Sequence, residues 1–214
     1  MKNLFFSCLI TITIGCSKEK DTKVAVQNNP PEITKNNSIQ TVQEPEKLSK
    51  DEHLKNINIE ILSALKSKDY ERFSEFIHPQ KGIRFSMYAY VQPEKNKHFS
   101  REEFIRYVSA PTKFTWGEKD GSSDLMVISL NDYLENWVFK RDFTKSEFYL
   151  NEFKGTGNSL NNLKQIYPET DFTENYIPGS EKYNGMDWNA LRFIFEEFQG
   201  EFFLVAVIND EWTI

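Results

Sequence analysis

WNALRFIFEEFQGEFFLVAVIN, residues 188–209, decides the fold. Two aromatic and β-branched runs, Trp188 to Phe198 and Glu201 to Asn209, flank Gln199-Gly200, which reads as the two-residue turn of a β-hairpin. Pairing Phe198 with Glu201 sets the register and places Trp188 opposite Glu211. One face then holds Leu191, Phe193, Phe195, Phe202, Leu204, Ala206 and Ile208; the other mixes Ala190, Arg192, Ile194, Glu196, Phe203, Val205 and Val207. A fully apolar face must be covered, and the cover lies upstream.

Working outward, Ser49-Lys50-Asp51-Glu52 reads as a capping box. Leu54, Ile57, Ile61, Leu62 and Leu65 follow it at helical spacing. A second short helix carries Tyr70, Phe73, Phe76 and Ile77 and stops at His78-Pro79. Ile83 to Val91 alternates apolar residues with Arg84, Ser86, Tyr88 and Tyr90, the pattern of a strand. Ser100 to Glu103 opens another helix, Lys113 to Trp116 is a short strand, and Ser129 caps a helix through Leu130, Tyr133, Leu134, Trp137 and Val138. Strands are expected within Phe143–Phe153 and over Phe172–Ile177, with a turn-rich loop from Gly155 to Asn162 between them. The fold class is α+β: N-terminal helices packed on a curved antiparallel sheet ending in a long hairpin. No βαβ rhythm and no repeat is present.

The first 48 residues read differently. Lys2 supplies a positive start, and Leu4 to Ile14 is an apolar stretch too short to span a bilayer. It ends at Thr13-Ile14-Gly15-Cys16, which resembles the lipobox of bacterial lipoproteins. That resemblance implies removal of residues 1–15, lipidation of the Cys16 thiol and acylation of the new amino terminus. The cysteines are Cys8 and Cys16, so the body carries no disulfide, thiolate metal site or cysteine nucleophile. Two or three acyl chains anchor firmly at about 0.8 kcal/mol per buried methylene. Residues 16–48 are polar, without an aromatic residue, and read as a disordered tether to the domain at 49–214. The expected address is the bacterial cell envelope, and Ser17 after Cys16 points to the outer membrane.

The order of elements resembles the cone-shaped α+β fold shared by ketosteroid isomerase and nuclear transport factor 2. A set of segments resembles a family of uncharacterised bacterial secreted proteins and lipoproteins: His78-Pro79-Gln80-Lys81-Gly82-Ile83-Arg84-Phe85-Ser86, Phe114-Thr115-Trp116-Gly117, Tyr183-Asn184-Gly185-Met186-Asp187-Trp188 and Asn209-Asp210-Glu211-Trp212-Thr213-Ile214. That resemblance implies fold and location and carries no mechanism.

For chemistry, net charge is −6 and no basic run exceeds two residues in the body, which argues against nucleic acid as a partner. His53, His78 and His98 lack zinc spacing, so no metal or other cofactor is expected. Asp120 to Asp124 lacks the spacing of a calcium loop, Gly155-Thr156-Gly157 lacks the third glycine of a phosphate loop, and G-x-S-x-G is absent. Candidate ligand-binding residues remain: His78 at a helix end, Arg84, Tyr88 and Tyr90 on one strand face, Trp116, and Asp187, Trp188 and Arg192 near the hairpin base. Arg192 is expected to pair with Glu211 beneath the tryptophans. The leading function is a membrane-tethered, non-catalytic module binding a small molecule, a glycan or a protein. The alternatives are an acid/base enzyme using His78 or an Asp, and an assembly role through Phe203, Val205 and Val207 exposed on the outer sheet face.

Overall fold

The computed structural model describes residues 48–213; the expected leader, the Cys16 anchor and the tether lie outside the described residues, save Leu48 at its end. Helix α1 (Lys50–Ser67) starts at the expected capping box. The Glu52 amide donates to Ser49 Oγ at 3.3 Å, and the Ser49 amide donates back to the Glu52 carboxylate at 3.1 Å. Leu54, Ile57, Ile61, Leu62 and Leu65 are all buried. Lys68, with φ of 58°, stops the helix and returns its amide to the carbonyls of Ala64 and Leu65. Helix α2 (Tyr70–Glu75) follows, capped by Asp69.

Strands β1 (Ile83–Ser86) and β2 (His98–Phe99) precede α3 (Arg101–Val108), which opens at Ser100 with the second capping box. Strands β3 (Lys113–Glu118) and β4 (Leu125–Ser129) form a separate two-stranded ribbon. Helix α4 (Leu130–Tyr133) continues into a π-helical turn over Leu134–Val138. Strand β5 (Glu147–Leu150), α5 (Leu163–Ile166), β6 (Asp171–Ile177), β7 (Asn189–Phe198) and β8 (Glu201–Glu211) complete the order. Among the described residues the main sheet has six strands in the order β2-β1-β8-β7-β6-β5.

Three expectations need correction. The sheet is mixed, because β1 runs parallel to β8 with Arg84 beside Ala206. A tight turn dictates direction only between the strands it joins; the long stretch of chain between Ser86 and Glu201 leaves room for the crossover that a parallel pair needs. The strand expected over 83–91 ends at Ser86, whose hydroxyl donates to the carbonyl of Tyr88 at 2.7 Å and bends the chain. Burial still alternates: Met87, Ala89 and Val91 are buried.

The third correction is the largest. Phe198 pairs with Glu201 as expected and Phe195 with Leu204, but Ile194 pairs with Ala206. Val205 is the extra residue of a β-bulge. From there to its end β8 presents the opposite residue to each face, and Asn189 rather than Trp188 lies across from Glu211. The helix-covered face therefore collects Leu191, Phe193, Phe195, Leu204 and Val207 against Leu54, Ile61, Leu65 and Phe73. The other face collects Ile194, Val205, Ala206 and Ile208 with Phe172, Val91 and Leu163. Both faces are buried, and Val205 and Val207 offer no exposed assembly patch.

Candidate functional site

The segment after β1 is irregular yet tightly held. The Asn162 side chain clamps Val91 on both sides: its Oδ1 accepts from the Val91 amide at 2.8 Å and its Nδ2 donates to the Val91 carbonyl at 2.9 Å. Ser86 Oγ holds the carbonyls of Tyr88 and Tyr90 from below, and the Trp137 indole donates to the Met87 carbonyl at 3.1 Å. Local and distant bonds thus do for residues 87–91 what a sheet ladder would do. Tyr88 packs edge-on to Trp137 at 5.7 Å, and its hydroxyl accepts from the Asp120 amide at 2.8 Å. Burial raises the pKa of Tyr88 above the usual phenol value, so the hydroxyl stays neutral.

Tyr88 and Tyr90 line an open cleft of about 630 Å³ between residues 86–97 and the β3–β4 ribbon. Trp116 contributes to its floor; the ring is buried, donates to the Ile128 carbonyl at 3.0 Å and stacks on Tyr133 at 3.6 Å. Tyr133 is fully buried, and its hydroxyl has no hydrogen-bond partner among the described residues. Tyr88 and Tyr90 also line a smaller adjoining hollow with Ser159, Leu160 and Thr213. Around this concave end Tyr90 is 46% exposed, Leu125 59% and Leu160 76%, an apolar rim that the core does not need.

The other candidates separate from these. Arg84 donates to the carbonyls of Pro93 at 2.6 Å and Asn96 at 3.3 Å, and it lines a second cleft of about 590 Å³ with Lys81, His98, Tyr167, Glu196 and Glu197. His78 is buried and lines neither large cleft. Its Nδ1 accepts from the amides of Gln80 and Lys81 at 3.1 and 3.0 Å, and its ring leans on Phe198 and Phe203. Burial pushes its pKa below the usual imidazole value, so it is a neutral anchor for the turn before β1. Asp187 is held low by the Ser180 amide and hydroxyl, which donate to its two oxygens at 2.6 and 2.9 Å.

Arg192 sits in a different setting from the one expected. The bulge carries Glu211 away to Lys140 and brings Asp210 onto the arginine's face. Arg192 Nε donates to Glu174 at 2.5 Å and Nη2 to Asp210 at 2.7 Å, with Arg192 and Glu174 wholly inaccessible. Glu174 Oε1 also accepts from the amides of Lys154 and Gly155, Arg192 donates to the Gly155 carbonyl at 3.0 Å, and Phe153 covers the guanidinium at 4.9 Å. Two carboxylates share one cation, so burial raises Asp210 to about 6 against the pull of Arg192. Trp188 seals the same loop over Gly155, where a Cβ would lie 2.6 Å from the indole ring. This cluster straps residues 153–157 onto the sheet and lines neither large cleft.

Sequence reasoning missed Asn162 and Glu174, and it gave Arg192 the partner Glu211 where the structure has Asp210. Each acts across a long sequence separation, and no local pattern marks it. No protein-family model matches the chain, and no curated protein matches it. Among the described residues no group of three or more His, Cys, Asp or Glu side chains could hold a metal ion, and no helix is long and apolar enough to cross a membrane.

Proposed function

We propose that the chain is an exported envelope lipoprotein, acylated at Cys16, whose domain is a binding module presenting the Tyr88–Tyr90 cleft to a small ligand or a partner. The address rests on Lys2, the apolar run Leu4–Ile14 and the Gly15-Cys16 junction. The lipid-anchored, outer-membrane placement and the kinship to uncharacterised secreted proteins belong to the same reading.

The binding role rests on one observation. The segment 87–91 leaves the ladder, yet Asn162, Ser86 and Trp137 fix it so that two tyrosines line one solvent-open concavity. Ordering side chains before a ligand arrives removes that entropic cost from the binding step. A purely structural segment would gain more by continuing the strand. The acid/base alternative draws less support, because His78 gives its acceptor nitrogen to two amides and Asp210 faces Arg192, both away from the large clefts.

Native mass spectrometry of the full chain purified from its own host tests the module. The expected result is a reproducible adduct that Tyr90→Ala abolishes; a bare mass in the wild type, or an adduct untouched by that substitution, counts against the cleft. Fractionation tests the address: wild type is expected with membranes and Cys16→Ala in the soluble fraction, and membrane association of both sinks the lipid anchor.

A further inference from the structure

We infer that the ligand of the Tyr88–Tyr90 cleft is a neutral oligosaccharide, an assignment that rests on the binding-module reading above. Four features of the lining select that chemistry. Tyr90 stands half out of the surface, and neither its ring nor its hydroxyl has a partner among the described residues. It is a bare aromatic platform whose backbone is nonetheless fixed on both sides, at Ser86 and at Asn162. A pyranose ring has faces of C–H bonds and a rim of hydroxyls. The C–H faces match the negative face of an aromatic ring, and the hydroxyls need mixed donors and acceptors around it.

The rim supplies those groups in neutral balance. Glu94, Lys95, Lys97 and Glu118 line the cleft, two of each sign, so it offers no net field to an anion or a cation. None of the four forms a salt bridge among the described residues, whereas Lys50, Lys66, Lys68, Arg72 and Lys81 elsewhere each hold a carboxylate. Their donors and acceptors, with those of the Gln92 and Thr115 side chains, are free for hydroxyl groups. A phosphate or carboxylate ligand would call for a surplus of arginine or lysine, which this lining lacks. The fourth feature is size: about 630 Å³, open along its side, fits a few linked sugar rings within the range of about 300–1,000 Å³ usual for small-molecule sites.

The test is saturation-transfer NMR and calorimetry on the full chain in a zwitterionic detergent. The probes are maltotriose, cellotriose and chitotriose, with trigalacturonate as the anionic and trilysine as the cationic comparison. At least one neutral trisaccharide is expected to bind. Tyr90→Ala should weaken it at least tenfold, and Tyr90→Phe, which keeps the ring, less than threefold. Ile105→Ala, a change at an exposed residue outside the cleft, should leave it unchanged. Should Tyr90→Ala fail to match the wild-type melting curve, Gln92→Ala replaces it, with an expected loss of at least threefold. Binding of trigalacturonate or trilysine alone, lost on Tyr90→Ala, overturns the assignment to a neutral oligosaccharide and leaves the cleft standing. A neutral sugar bound equally by wild type and both cleft variants overturns the cleft itself. No binding of any neutral trisaccharide overturns the assignment.

Discussion

Replacing Asp210 by asparagine should flatten the acid-side stability profile of the domain. Asp210 is a carboxylate 4% exposed that shares Arg192 with Glu174, and burial lifts its pKa from the ordinary 3.8 to about 6. The folded chain therefore holds this proton more tightly than the unfolded chain. The resulting stability is fully present below about pH 4 and is lost as pH rises through about 6. The rise corresponds to about 3 kcal/mol, at about 1.4 kcal/mol per pH unit. The substituted amide would keep an oxygen for the Arg192 Nη2 donor while removing the second negative charge, leaving the Arg192–Glu174 pair neutral. The measurement is urea unfolding followed by tryptophan emission at half-unit steps from pH 4 to 7.5. Between pH 4 and 6.5 wild type should lose about 2 kcal/mol of that total relative to Asp210→Asn. Subtracting the two curves cancels the other carboxylates whose pKa values lie low, Asp142 and Asp187 among them. Parallel curves would refute the shared-cation account of the cluster.

Three further outcomes follow from the packing. Gly155→Ala places a methyl 2.6 Å from the Trp188 ring and should cost about 1–3 kcal/mol in a thermal melt, since a packed indole cannot move aside freely. Asn162→Ala leaves the buried Val91 amide and carbonyl without partners; a loss of about 2–4 kcal/mol and faster hydrogen exchange at the Val91 amide are expected. Deleting Val205, the extra residue, should leave a regular ladder with Leu204 opposite Phe195, Ala206 opposite Ile194 and every later residue on its native face, so soluble, cooperatively folding protein with a well-dispersed amide NMR spectrum is expected; loss of that spectrum would contradict the bulge.

What can be read in the sequence is local. The serine caps at 49 and 100, the helical spacing of Leu54 to Leu65 and the Gln199-Gly200 turn each state their structure within a few residues, and all are present. The bulge is illegible for a definite reason. Val205-Ala206-Val207-Ile208 is apolar at every position, so a shift by one residue changes no hydrophobic match, and the pattern carries no phase. That single ambiguity misassigns the partner of Arg192. The parallel pairing of β1 with β8 and the Asn162 clamp on Val91 depend on residues far apart in the chain, where composition is silent. For the candidate site, Tyr88 and Tyr90 stand out as polar aromatic residues alternating with buried ones. His78, Asp187 and Arg192 stand out too, but tertiary packing uses them to hold the turn, loop and strap around them.

The last strand lies in the middle. Strand β8 is flanked by β1 on one side and β7 on the other, so the sheet has no centre until residue 211 is available. Strands β1 and β2 have nothing in the main sheet to dock against before then, and the helices have only half a floor. A polypeptide emerging amino terminus first would stay open through most of its length and close in a late step dominated by distant pairings, the kind that folds slowly. It also means that a clipped or stalled product lacking β8 is left with an unfilled core, and quality-control proteases would meet it as an unfinished body rather than a shortened one.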